Sequence, residues 1–171
     1  MDLKKVVVAL VALMLAAVAA GCGGVSEKVG QKAAEKLIEE GTGGKVDIKG
    51  DNVTIKTKEG DAEVSIGSKK LPDGFPKDFP VYKGAELEGA MSTKQGGQTS
   101  MIVTFTSKDD FAKVVEFYKD KEQLGGYDVA STLDFNEAFT LGLKKGETDA
   151  GSVMIGKNDN DTSIVITLVA E

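Results

Sequence analysis

The segment Ser100–Tyr118, SMIVTFTSKDDFAKVVEFY, decides the fold because its apolar period changes from that of a strand to that of a helix. In its first part the apolar residues alternate with polar ones, as in a strand with one buried face: Met101, Val103 and Phe105. Ser107–Asp110 then has the hydroxyl and carboxylates of a capping-box-like helix start. We therefore predict a strand at Ser100–Thr106, followed by a helix that begins near Phe111 and carries an apolar stripe.

Further strands are predicted on both sides of this unit. One lies near Glu86–Met91 and is joined to Ser100–Thr106 by the loop Thr93–Gln98, while the helix continues through Leu124 and ends at Gly125-Gly126. The later strands are near these ranges: Tyr127–Leu133, Phe139–Lys144, Gly151–Lys157 and Ser163–Ala170. Apart from the helix, the connections are too short for parallel crossovers. The order ββαββββ therefore predicts an α+β fold, in which one helix packs on an antiparallel sheet.

One of these strands is predicted to be central. Ile164–Val169 is apolar at both phases of the strand period. A strand that is apolar on both sides is typical of the interior of a sheet or of a sheet covered on both faces.

The N-terminal part of the mature chain predicts a helix and a small β-meander. Apolar residues recur at helical spacing up to the glycine-rich stop at Gly41–Gly44: Val25, Val29, Ala33, Leu37 and Ile38. This helix either packs on its own domain or serves as a membrane-proximal stalk or partner helix. Residues 45–68 then alternate with period two, and turn sequences at Gly50–Asn52 and Glu59–Asp61 divide them into three strands with one buried face.

The three prolines all lie in one strap, residues 69–84, which contains LPDGFPKDFPVYKG. Because proline restricts its own φ and the residue before it, we predict an extended segment that marks a boundary between two parts. Its aromatic residues are Phe75, Phe79 and Tyr82. They pin the strap to the body of the protein, form a lip over a groove, or belong to an exposed docking strap, and they are the candidate binding residues.

The first 21 residues have the three parts of a secretory signal. Lys4 and Lys5 are followed by an apolar run over Val6–Ala20, and small residues precede Cys22, which is the only cysteine. A bilayer-spanning helix needs about 20 apolar residues, and this run is shorter. The segment predicts a signal peptide that is cleaved before Cys22. An ordinary secretory leader or an uncleaved anchor with a chance cysteine is the alternative.

Ala19-Ala20-Gly21-Cys22 resembles the lipobox of bacterial lipoproteins. The resemblance implies a diacylglycerol on the sulfur of Cys22 and an acyl chain such as palmitate on the amine freed by cleavage. It also implies a lipid-anchored protein at the cell membrane or the outer membrane, facing outside the cytoplasm. The strap, from Leu71 to Gly84, resembles a stretch of uncharacterised bacterial lipoproteins, Leu-Pro-x-x-Phe-Pro-x-Asp-x-Pro-x-Tyr-x-Gly, to which no activity is attached.

The composition narrows the functions that this chain can have. The formal net charge is −6, every basic residue is a lysine, and arginine and histidine are absent, which argues against a nucleic-acid partner. Without histidine there is no imidazole base and no histidine metal site, and lipid on Cys22 would occupy the one thiol. Asn158–Thr162 lacks the later glycine and glutamate of a calcium loop, so it predicts a hairpin turn. We predict no catalytic residue, no metal site and no cofactor.

These observations favour a non-catalytic binding or interaction module held at the membrane by lipid on Cys22. Its partner would be an envelope protein or a small apolar ligand. An envelope hydrolase with carboxylate or Ser/Lys chemistry is the alternative, as is a purely structural envelope component. The predicted organisation is as follows: signal peptide 1–21, tether and helix 22–44, β-meander 45–68, strap 69–84 and α+β domain 85–171.

Overall fold

The computed structural model describes residues 32, 35, 36, 38–40, 43–49, 51–56, 62–67, 70–120 and 124–170. The predicted signal peptide, Cys22, the tether and most of the apolar residues of the first helix lie outside these residues. The elements within them are β1 (Lys45–Lys49), β2 (Asn52–Lys56), β3 (Ala62–Gly67), β4 (Glu86–Gln95), β5 (Gln98–Ser107), α1 (Phe111–Lys119), β6 (Asp128–Phe135), β7 (Ala138–Lys145), β8 (Thr148–Lys157) and β9 (Thr162–Ala170).

These strands form one sheet in the order β1-β2-β3-β4-β5-β9-β8-β7-β6, and every neighbouring pair is antiparallel. The predicted antiparallel sheet with one helix packed on it is confirmed, and β9 lies in the interior between β5 and β8. The separation of the meander from the larger sheet was wrong. Because β4 extends to Gln95 rather than Met91, its last residues pair with β3, from Gly67↔Ala90 to Ala62↔Gln95.

The connection between β4 and β5 is also tighter than the predicted loop Thr93–Gln98. The strands continue to a two-residue turn in which Gly96 and Gly97 have φ values of 59° and 87°. Positive φ at both central residues matches the right-handed twist of the flanking strands, and glycine adopts it without steric cost. At the β8–β9 connection the predicted hairpin turn is present, with the amide of Asn158 donating to the carbonyl of Asp161 at 2.9 Å.

The core lies between the sheet and a layer formed by α1 and the strap. Val114, Val115 and Tyr118 are the buried residues of α1, which packs over β8. The apolar residues of one sheet face complete the core: Met101, Val103, Phe105, Phe139, Leu141, Leu143, Val153, Ile155, Ile164, Ile166 and Leu168. Leu124 is buried as predicted but follows α1, which ends at Lys119 rather than near Gly125.

The strap is a series of turns and not the extended segment that its prolines predicted. Amide-to-carbonyl hydrogen bonds close three turns, Phe75 to Pro72, Phe79 to Pro76, and Ala85 to Tyr82. Gly74 and Gly84, at the third positions of the first and last turns, have φ values of 91° and 87°. Proline restricts its own φ but is compatible with turns, and glycine at the third position of a turn adopts the positive φ that lets the chain fold back.

The residues before β1 protect the edge of the sheet. Glu35 and Glu39 are helical, and their Oε1 atoms accept hydrogen bonds from the amides of Ile48 and Val46, each at 3.0 Å. This segment ends as predicted, because Gly43, with φ of 69°, donates its amide to the carbonyl of Glu39. Among the described residues, none of the helices is long and apolar enough to cross a membrane.

Candidate functional site

The sheet face opposite α1 carries exposed apolar side chains; we call it the open face. Among the described residues five large apolar side chains are exposed, and four of them lie on this face: Leu133 (56%), Phe135 (64%), Met154 (50%) and Val169 (40%). Isolated exposed apolar residues are ordinary on protein surfaces, but a cluster on one face marks a candidate interaction site.

The strand register shows that these residues are neighbours. Residues paired directly across antiparallel strands have side chains on the same face. Three such rows cross β6, β7, β8, β9, β5 and β4 on the open face. The rows are Phe135-Ala138-Gly156-Ser163-Thr106-Glu86, Leu133-Thr140-Met154-Val165-Thr104-Gly89 and Ser131-Gly142-Ser152-Thr167-Ile102-Met91.

The three rows of the open face have almost no charge, whereas the row beyond them brings Asp128, Lys144 and Asp149 to the end of the face formed by β6, β7 and β8. Of the eighteen residues in the three rows only Glu86, at one end, is charged, whereas 28% of the whole chain is charged. Average composition would place about five charges there. The remaining residues are apolar, glycine, serine or threonine, so a partner can contact this face without desolvating an unpaired ion.

The apolar side of the sheet changes at β4. In β5 to β9 the buried apolar residues face α1, but the apolar residues of the meander lie on the open face. The third row, which contains Ile102 and Met91, continues from β4 across β3, β2 and β1 through Ile66, Val53 and Ile48. On the side of α1 the corresponding residues are polar: Ser92, Ser65 and Thr54. The predicted single apolar face of the meander is therefore present, and among its described side chains Val46 is the buried one.

The candidate binding residues of the strap lie in the core, on the other side of the sheet. Phe75, Phe79 and Tyr82 are all buried. The ring of Phe79 packs edge-to-face against Phe75 and Tyr127, with centroid distances of 6.0 and 5.2 Å. This placement matches a strap that is pinned to the body of the protein. A binding role for Phe75, Phe79 and Tyr82 stays a prediction, and neither of the two depressions described below is lined by Phe75 or Phe79.

Sequence reasoning missed the residues of the open face. Leu133, Phe135 and Met154 occupy the phase of their strands that is otherwise polar or small, and Met154 stands between the buried Val153 and Ile155. A signal was available, because a large apolar residue at the solvent phase of a strand is itself unusual. Whether such a residue belongs to a larger apolar surface depends on which residues lie beside it on the neighbouring strands.

A polar network ties the strap to the start of α1. Asp109 accepts hydrogen bonds from the Tyr82 hydroxyl at 2.7 Å and from Lys113 Nζ at 2.9 Å. Both bonds favour the ionised carboxylate and therefore lower the pKa of Asp109. The bond from Lys113 has the larger effect and the bond from Tyr82 the smaller one.

Asp110 makes no capping bond through its side chain, and Ser107 Oγ instead accepts the amide of Asp109. The capping-box prediction was therefore wrong in detail, and we assign this network a structural role.

We expect the buried Tyr118 phenol to make the protein less stable at alkaline pH. Burial raises its pKa to about 12, whereas an unfolded tyrosine titrates near 10. The folded state therefore keeps a proton that the unfolded state releases, and about 2–3 kcal/mol of stability present below pH 10 is lost as the pH rises toward 12. Urea unfolding between pH 8 and 11 should show a smaller decline for Tyr118→Phe. Parallel declines in the two proteins would contradict the expectation.

Two surface depressions lie away from the open face. A cleft of about 260 Å³ between the meander and the start of the strap has oppositely charged neighbours, such as Lys49 and Asp47 at 2.7 Å. A shallow depression of about 440 Å³ is lined by Tyr82 and four residues of α1 and its end: Lys113, Glu116, Phe117 and Asp120.

The buried polar side chains of the described residues are Ser92, Ser107 and Thr162, and no carboxylate is among them. No metal-ligating cluster was found in this part of the chain.

The fold and the open face define the molecule as a sheet-and-helix module with one apolar, sparsely charged sheet face. Residues 87–167, just under half of the chain, match the model of a family described as START domain-like. The matched range runs from β4 to β9 and includes α1 and most of the open face. A sheet with a packed helix is compatible with that family. Comparisons with curated proteins and with solved structures gave no match.

Proposed function

We propose that this protein is a lipid-anchored, extracytoplasmic and non-catalytic binding module, and that its open face binds an apolar ligand. The observation that carries the proposal is the cluster of Leu133, Phe135, Met154 and Val169 on one nearly uncharged sheet face. Burying a side chain of this size contributes about 1.5–3 kcal/mol, so a ligand that covers two or three of them can bind with useful affinity.

The family similarity supports the same class of ligand. START-like domains bind small apolar ligands, and the matched residues include the rows of the open face. The lipid anchor is supported by the leader and by the position of Cys22 after Ala19-Ala20-Gly21. An anchor of this kind would hold the open face outside the cytoplasm, at the cell membrane or the outer membrane.

The geometry favours binding over catalysis. Hydrolysis with two carboxylates needs a pair positioned around the scissile bond. In the described residues Asp109 is paired with Lys113 and Tyr82, and the three rows of the open face carry only one carboxylate, that of Glu86. The serine and threonine residues of the open face have no lysine beside them in the three rows, so a Ser/Lys nucleophile has no support there.

The test is direct binding of a long-chain fatty acid that carries an environment-sensitive fluorophore. The protein is reconstituted with its lipid in phosphatidylcholine vesicles, and protein-free vesicles correct for partitioning of the probe. We expect saturable binding that Met154→Lys weakens at least tenfold, because an ammonium group then replaces an apolar contact at the centre of the face.

Ala112→Lys is the matched control, since Ala112 is exposed on α1, on the other side of the sheet. It adds the same charge and should leave the affinity unchanged. Because Met154 is half exposed, both variants should keep the thermal unfolding midpoint of the wild type within a few degrees. The absence of saturable binding, or equal weakening by both substitutions, would contradict the proposed function.

A further inference from the structure

The open face has the size of a protein interface. Strands about 4.8 Å apart make the six-strand part of the sheet about 29 Å wide, and the three same-side residues that each strand contributes to the rows extend for about 20 Å. The footprint is roughly 600 Å², which is what one partner contributes at the lower end of the standard range of stable interfaces. On β9, for example, the three residues are Ser163, Val165 and Thr167. Such a face is large for a small ligand to cover.

The two edges of the sheet are less suitable for association. At the β1 edge, Glu35 and Glu39 occupy the amides of Ile48 and Val46. At the β6 edge the register shifts between Val129 and Ser131, and the strand carries Asp128 and Asp134. Bulges and charged residues oppose the addition of another strand. The open face, unlike either edge, has no such obstacle to contact between copies.

The charge distribution permits two copies to meet through this face. The chain has a net charge of −6, so most approaches of one copy to another bring like charges together. In the three rows of the open face only Glu86, at the end of one row, is charged. Two open faces can therefore approach with little repulsion, and sheets packed face to face lie about 10 Å apart with their side chains in contact.

We infer that a second copy of this chain covers the open face when no ligand is bound, and that the second copy and an apolar ligand compete for it. The two copies form a symmetric sandwich in which the same surface is used by both. The competition rests on the proposed function, whereas the association of the copies does not. Tethering both copies to one membrane raises their effective concentration, so a weak interface can still be occupied.

The test follows the reactivity of a single thiol at the centre of the face. Ser152→Cys places it beside Met154 and Thr167, and Ala112→Cys places one on the exposed side of α1 as the matched control. The full-length lipidated proteins are placed in phosphatidylcholine vesicles at low and high protein density and labelled with a maleimide. The wild-type protein, which lacks both introduced thiols, is labelled in parallel to measure any reaction of Cys22 itself.

We expect labelling of Ser152→Cys to slow at least tenfold from low to high density, while Ala112→Cys reacts at the same rate at both. Adding Met154→Lys to Ser152→Cys should restore fast labelling, because each copy would then bury an unpaired ammonium group in the interface. Sedimentation of the protein in detergent should give a dimer that the fatty-acid probe shifts toward the monomer.

Density-independent labelling at position 152 with saturable probe binding would overturn the inference and leave the proposed function intact. A dimer in which this thiol stays reactive would also overturn the inference, because the copies would then meet through another surface. Protection of the thiol without any probe binding would support the association of two copies through the open face. It would refute both the competition with an apolar ligand and the proposed function.

Discussion

Replacing Phe79 by alanine is expected to lower the free energy of unfolding by about 3–5 kcal/mol, the range found when large aromatic residues are removed from cores. Phe79 is buried and contacts Phe75 and Tyr127 edge-to-face, so the substitution leaves a cavity between the strap and the sheet. The turn from Pro76 to Phe79 holds the backbone at this position, which limits collapse into the cavity. Urea unfolding followed by circular dichroism measures the change.

Leu71→Ala is the matched control, because Leu71 belongs to the same strap but is exposed. It should change stability by less than about 0.5 kcal/mol. The pair also separates the two interpretations of the strap. If Phe79→Ala left stability unchanged but reduced ligand binding, Phe79 would belong to a binding lip and the pinned strap would be the wrong interpretation.

Replacing Cys22 by alanine is expected to abolish lipid attachment. Each buried CH₂ group contributes about 0.8 kcal/mol to membrane binding, and two acyl chains are enough for stable anchoring. The acidic, arginine-free chain has little electrostatic attraction to anionic lipid, so it cannot replace the acyl chains. The wild type should carry the mass of the lipid and partition into detergent, whereas Cys22→Ala should carry no lipid.

Gly24→Ala, two residues later, is the control and should keep both the lipid and the partitioning. Intact mass spectrometry of the protein purified from its own membrane tests the wild type directly. Finding residues 1–21 still attached and an unmodified Cys22 would refute the lipid anchor. The binding experiments on the open face would still stand, because they test the folded domain.

Local patterns predicted much of the fold correctly. Ile164–Val169 is apolar at both phases, and β9 indeed lies inside the sheet. The alternation in Ser100–Thr106 predicted the buried residues Met101, Val103 and Phe105 of β5. Both patterns are local consequences of strand geometry, in which successive side chains point to opposite faces.

Errors arose where distant residues decide the structure. The local pattern predicts a strand near Glu86–Met91 and a loop at Thr93–Gln98, yet β4 continues to Gln95 because β3 and β5 pair with it on both sides. The strap was predicted to be extended from its prolines alone. Its turns are stabilised by aromatic contacts with Tyr127 and Phe117, which follow it in the chain.

The candidate site could not be predicted from one strand at a time. Sequence reasoning selected Phe75, Phe79 and Tyr82 because aromatic residues in a proline-rich segment are conspicuous. The structure buries them and exposes Leu133 and Met154 instead. Each of these residues interrupts the alternation of its own strand, but only their alignment across the sheet makes a surface.

The sequence by itself determined where the strands and the helix lie and which residues alternate, because these patterns depend on near neighbours in the chain. The tertiary structure alone decided which side of each strand faces α1. The pairing of β3 with β4 sets Ile66 beside Met91 and, through β5, beside Ile102, on the side away from α1. A shift of one residue in that register would move every side chain of the strand to the other face, and no local pattern specifies it.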